Sequence, residues 1–102
     1  MSRRNTFTVN AQSVQGNVGA TVTFLMLTVG EWKAYGVDPE VNDHTLIRAH
    51  IVDWSGIVDD QDRPLPNPAD EPDVLDELYM PEQRALSRLL FQGPDGANAE
   101  KN

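Results

Sequence analysis

Ten carboxylates and five prolines fall between Asp53 and Glu82, with Arg63 as the single basic residue among them. No small core takes in so much unpaired charge, because an ionised carboxylate moved out of water loses hydration that only a partner restores. Proline adds a second constraint, since it donates no amide hydrogen and holds its predecessor out of helical geometry. The stretch from Pro64 to Pro72 is therefore expected to be irregular or polyproline-like, and the closing of a core falls mainly to the flanks. Inside the stretch, Ile57-Val58 and Arg63-Pro64-Leu65-Pro66 predict a short extended pair around an acidic turn. Asp73 is expected to cap a helical segment with Val74, Leu75, Leu78 and Tyr79 facing one way.

The N-terminal flank alternates. Phe7, Val9 and Ala11 share one side of Thr6 to Gln12, and Val22, Phe24 and Met26 share one side of Ala20 to Leu27. Turn chemistry at Gln15-Gly16-Asn17-Val18-Gly19 joins them, which predicts an antiparallel hairpin. Thr28-Val29-Gly30-Glu31 has the form of a capping box, so a short helix is expected to about Tyr35, ended by Gly36 and Pro39. A second helix is expected from an Asp43 cap to Trp54, with Leu46, Ile47, His50, Ile51 and Trp54 on one stripe and Ser55-Gly56 as its stop. Pro81 suits the first turn of a last helix, whose inner stripe is Ala85, Leu86, Leu89 and Leu90. The expected fold class is thus α+β, an N-terminal hairpin packed on three to four short helices. One compact domain covers 1–92, and a disordered tail covers 93–102.

At 102 residues, 39% of them apolar, the chain has room for one modest core. It contains no cysteine, which removes disulfides and thiolate metal sites and suits a reducing cytoplasm. No apolar run approaches the length of a membrane span, and the first residues lack the pattern of a secretion signal. The formal net charge of −8 is concentrated in the acidic stretch and repels phosphate backbones while attracting basic proteins. Nucleic-acid and membrane partners are accordingly not expected; a protein partner is, and self-association is compatible with the pattern.

No residue set predicts chemistry or a cofactor. His44 and His50 stand six apart, roughly 240° around a helix, too far round to share a metal. His50 is expected to be half-buried beside Trp54. Asp59, Asp60 and Asp62 lack the central glycine of a calcium loop, where Pro64 stands instead. The serines sit in no nucleophile elbow, so no triad can be assembled and an enzyme is not expected. Trp32, Tyr35, Trp54 and Tyr79 are the large residues that a small core would be expected to use. Phe91 differs. It follows Arg84 and Arg88 on the side of the last helix away from Leu86 and Leu90, and an aromatic flanked by arginines has the composition of an interface anchor. Phe91, Arg84, Arg88 and Tyr79 are the candidate partner-binding residues; the alternative for Phe91 is that it folds back to complete the core.

From Ala20 to Phe91 the chain resembles the small tail assembly chaperones of long-tailed bacteriophages. The features that carry the resemblance are a strand entering a capped helix at Val22 to Glu31, a helix closing on Val52-Asp53-Trp54, the acidic turn with proline exit at Ile57 to Pro66, and a final Leu-rich helix. The resemblance implies a non-enzymatic protein that coats the tape measure protein, or another tail protein, during tail assembly and is absent from the finished virion. Members of that group are often mostly helical, so the N-terminal alternation is a departure from it. Two other classes fit the composition. A structural virion subunit of tail tube, connector or decoration type shares the hairpin-and-helix pattern, and an acidic DNA-mimic inhibitor would use the carboxylates as surrogate phosphates.

Overall fold

Phe7, Val9 and Ala11 are buried while Thr6 and Thr8 are exposed, the alternation of a strand with one dry face. In the computed structural model, which describes residues 5–95, β1 (Thr6–Asn10) pairs antiparallel with β2 (Thr21–Leu25). Val9 faces Val22 and Phe7 faces Phe24, whose ring centroids are 5.7 Å apart. The link between the strands is ordered: Gln12–Gln15 makes one helical turn, α1, closed by Gly16 at a φ of 82°. On the outer face the Thr8 and Thr23 hydroxyls meet across the strands at 2.8 Å.

The hairpin gains a third strand. The helix expected from Asp43 to Trp54 ends at His50 as α3 (Asp43–His50), and Ile51–Ser55 continues as β3, antiparallel to β2. The helix-like spacing has a physical cause. Val22 pairs with Trp54 but Phe24 pairs with Ile51, so Val52 is an extra residue on β3. That bulge puts Ile51 and Trp54, three apart, on the same buried face, which imitates a helical stripe. The cap of α3 is Asn42 rather than Asp43, through a reciprocal bond pair with Thr45. Gly56 follows β3 at a φ of 79°, and a Cβ there would meet the Ala20 Cα at 3.0 Å, so the strand exit needs glycine on both counts.

α2 (Val29–Val37) begins with the expected capping box and runs through Gly36. Val58 bridges Pro64 around the acidic turn, as the sequence predicts. The segment after the prolines is a 3₁₀ helix, Pro72–Glu77, with Glu71 rather than Asp73 preceding it; Val74 and Leu75 are buried, but Tyr79 is not. α4 (Met80–Gln92) buries the expected Ala85, Leu86, Leu89 and Leu90 and packs on α1 and α3. Its helices and the sheet close on a single apolar cluster, with Trp54 inside it at 8% exposure. A further 3₁₀ turn at Gly93–Asp95, the first residues after the domain edge expected at 92, lies against β1. The rest of the expected tail, 96–102, lies outside the described residues. No helix among the described residues is long and apolar enough to cross a membrane.

Candidate functional site

α2 buries none of its residues. Val29 is 71% exposed, Trp32 57% and Val37 83%, and Tyr35 is also exposed. Trp32, Tyr35 and Tyr79 thus depart from the expectation that large aromatics fill the core; only Trp54 does. Around the helix axis Val29, Trp32 and Gly36 fall on one outward arc, at steps of about 100° per residue. An amphipathic helix ordinarily turns such an arc inward. Here it faces out.

Contacts at Thr28, Glu31 and Tyr35 hold α2 in this posture. At its start the Thr28 hydroxyl accepts from the Glu31 amide at 3.1 Å, and Glu31 Oε1 accepts from the Thr28 amide at 2.8 Å. The same Oε1 lies 3.1 Å from Nε2 of His50, out of line for a hydrogen bond. His50, expected to be half-buried, is only 1% exposed, and its Nδ1 lies 2.8 Å from the Leu46 carbonyl. A carbonyl only accepts, so Nδ1 carries a proton. Further along, the Tyr35 hydroxyl donates to Asp43 Oδ1 at 2.6 Å, and the Tyr35 ring leans on Phe91 with centroids 5.1 Å apart. The hydrogen bond to Asp43, with the negative charge of that carboxylate, raises the Tyr35 pKa above 10.0.

Beside α2 a cleft of about 230 Å³ runs between the sheet and the end of α4, lined by Phe7, Met26, Leu27, Val29, Trp32, Leu90, Phe91 and Pro94. Phe91 is half-buried against the core cluster, as one of its two expected placements has it, and it also lines the cleft. Arg84 and Arg88 are exposed on α4 on the same side as Phe91. Tyr79 does not join them. It precedes α4 at the opposite end from Phe91, about 18 Å from it along the helix. There its hydroxyl donates to Asp60 at 2.7 Å, and that bond with the Asp60 charge raises its pKa above 10.0.

A larger cleft of about 620 Å³ lies over Leu65 and Val74, rimmed by Asp70, Glu71, Asp73 and Glu77. Arg48 reaches Asp73 there at 3.0 Å. Carboxylates facing water are already satisfied, whereas exposed Trp32 and Val29 lose free energy until something covers them. The α2 surface is for that reason the better candidate site, despite its smaller cleft. In the acidic turn, Asp59 accepts from the Arg63 and Gln61 amides at 3.0 and 2.8 Å, bonds that hold its pKa below 3.8. Gln15 ties this loop to the domain, donating to the Val58 carbonyl at 2.8 Å and to Glu82 at 2.9 Å and accepting from the Val58 amide at 3.0 Å.

Sequence reasoning missed α2 as a surface. The available signal was the order of its apolar residues, since Val29, Trp32 and Val37 are not seconded by neighbours that widen them into a stripe as Leu86, Leu89 and Leu90 are. Among the described residues no His, Asp and Glu converge in the threes that a metal ion needs. No family model, curated protein or solved structure matches this chain.

Proposed function

We propose that this chain is a non-enzymatic assembly chaperone of a long bacteriophage tail, acting in the host cytoplasm by holding the tape measure protein while the tail is built. The observation that carries a partner-holding role is α2, an ordered helix that directs Val29, Trp32 and Val37 into solvent. The phage assignment rests on the sequence resemblance. A chaperone needs apolar surface that is presented without collapsing its own core, and here the core is complete without α2. Co-expression with phage tail proteins, the tape measure protein among them, tests the role. The expected result is co-purification with the tape measure protein, reduced by Trp32→Ala, together with absence of the chain from finished particles by mass spectrometry. Stoichiometric presence in particles would overturn it.

The second reading, a structural virion subunit, is favoured by the outer edge of β1. Met26 donates its amide to the Asn5 carbonyl and Ala11 donates to the Ala20 carbonyl, which sets the residues bonded to β2 as Asn5, Phe7, Val9 and Ala11. The backbone groups of Thr6, Thr8 and Asn10 then point away from the sheet, where no other described strand pairs with them. Such an edge is able to extend a sheet from one subunit to the next.

A further inference from the structure

We infer that the outward face of α2, with the cleft beside it, takes an amphipathic helix of a partner protein that carries lysine or arginine along its flanks. This rests on the reading of α2 as the partner-holding surface and adds the chemistry of what is held. The apolar half of the match comes from Val29, Trp32 and the cleft wall of Met26 and Phe91. Gly36 sits on the same arc, and nothing lies within 4 Å of where its Cβ would be, so a partner backbone approaches there without obstruction. A helix laid on a helix needs this combination of anchors and one small residue.

The charged half comes from the surroundings. From Val29 to Asp43 the chain has Glu31, Asp38, Glu40 and Asp43 against Lys33, and Arg84 and Arg88 stand on the Phe91 side of the cleft, so the negative field is strongest at the Asp38 and Glu40 end. The last turn of α2 contains no basic residue, so the negative end of the helix dipole adds to Asp38 and Glu40, both exposed. Cations on the occupant answer that field. A second copy of this chain does not, because two bodies of net charge −8 repel. Nor does the segment Gly96 to Asn102 supply anchors, since alanine is its largest apolar residue.

The test uses isotope-labelled full chain and three synthetic peptides of about 18 residues, roughly five helical turns. One has leucine at helical spacing with lysine elsewhere, one replaces every lysine with glutamate, and one keeps the lysines but replaces leucine with serine. The leucine-lysine peptide is expected to shift the indole N–H resonance of Trp32 and leave that of Trp54 in place, with affinity falling at least ~10-fold in Trp32→Ala and, as an independent variant, in Val29→Ser. The glutamate and serine peptides are expected to bind at least ~10-fold more weakly. Equal binding of the glutamate peptide overturns the charge argument, and equal binding of the serine peptide overturns the apolar one. Trp32 shifts that follow protein concentration without peptide make a second copy the occupant and overturn the inference. If the tape measure protein binds through Trp32 while the leucine-lysine peptide does not bind, the occupant chemistry is wrong and the proposed function stands. Peptide binding without any tail partner leaves this inference standing and sinks the phage role.

Discussion

α4 and α2 are both fixed at their start by a Glu three residues into the helix that reaches back to a backbone amide, Glu82 to Tyr79 at 2.7 Å and Glu31 to Thr28 at 2.8 Å. Their fates differ. α4 places Ala85, Leu86, Leu89 and Leu90 in one arc wide enough to seat in the core, and all four are buried. α2 has Val29, Trp32, Tyr35 and Val37, no less apolar, and buries none. The difference teaches that capping sets where a helix begins, while the contiguity of its apolar arc sets whether the protein's own core takes it in. Apolar residues left outside after the core is filled are where a partner gains most.

The largest expected effect comes from removing a side chain on the α4 arc. Leu86 is fully buried, so Leu86→Ala should cost ~2–5 kcal/mol through lost transfer energy and the cavity left behind. Trp32→Ala, which removes a larger side chain, should change stability by no more than ~0.5 kcal/mol because that side chain is mostly exposed. Chemical denaturation of both variants measures this directly. Comparable losses would break the comparison and return α2 to the core. Phe91→Ala falls between, since Phe91 packs on Tyr35 and borders the cleft. It should cost about 1 to 2 kcal/mol of stability and weaken partner binding more than Trp32-distant variants do. A variant with native affinity would remove Phe91 from the site.

Much of this contrast could be read from the residues in order. The Thr28 to Glu31 box, the Ala85 to Leu90 arc and the alternation of Phe7, Val9, Val22 and Phe24 each depend on near neighbours, and each is where the sequence placed it. β3 was not legible, because its Val52 bulge is defined only against β2 and makes Ile51 and Trp54 look helical. His50 gave no signal of its depth, since its burial depends on Glu31 and α2 arriving from elsewhere in the chain. Phe91, Arg84 and Arg88 share one side of α4, as their spacing implies, whereas Tyr79 stands before the first turn at the other end, a separation that spacing alone does not show. The surface on α2 left only a faint trace, the lack of neighbours that would widen Val29, Trp32 and Val37 into a stripe, because a sequence shows which residues are apolar and packing decides which of them the core leaves out.

A smaller effect sharpens the role assigned to capping. Thr28→Ala removes the hydroxyl that accepts from the Glu31 amide, and should cost ~1 kcal/mol, typical of losing a side-chain cap. Because α2 buries none of its own residues, that loss should appear as local opening, with faster hydrogen exchange of the α2 amides and little change in those of α4. Uniform acceleration across both helices would mean that α2 and the core unfold as one unit.

The smallest effect compares the two tyrosines, one at each helix. Tyr35 on α2 donates to Asp43, and Tyr79 before α4 donates to Asp60. In each the carboxylate holds the phenol proton, by the hydrogen bond first and by its charge second, so both folded pKa values stand above 10.0. A pKa raised on folding stabilises the folded state below the unfolded value and loses that contribution as pH rises through the folded value. Both contacts are open to solvent, so the change in stability is small, but the titration itself is measurable. Tyrosinate absorbance of the native chain should rise at higher pH than that of the unfolded chain, and Asp43→Asn should bring the Tyr35 component back while leaving Tyr79 displaced. Tyr35 is the informative member of the pair, because the same side chain meets Phe91 at 5.1 Å and borders Trp32 on the surface of α2. If Asp43→Asn moves the Tyr35 titration and also weakens the Leu-Lys peptide, the Asp43 bond orients the ring that backs the docking face. A moved titration with unchanged affinity would confine the role of Tyr35 to holding α2 against α4, and Trp32 with Val29 would then form the face without it.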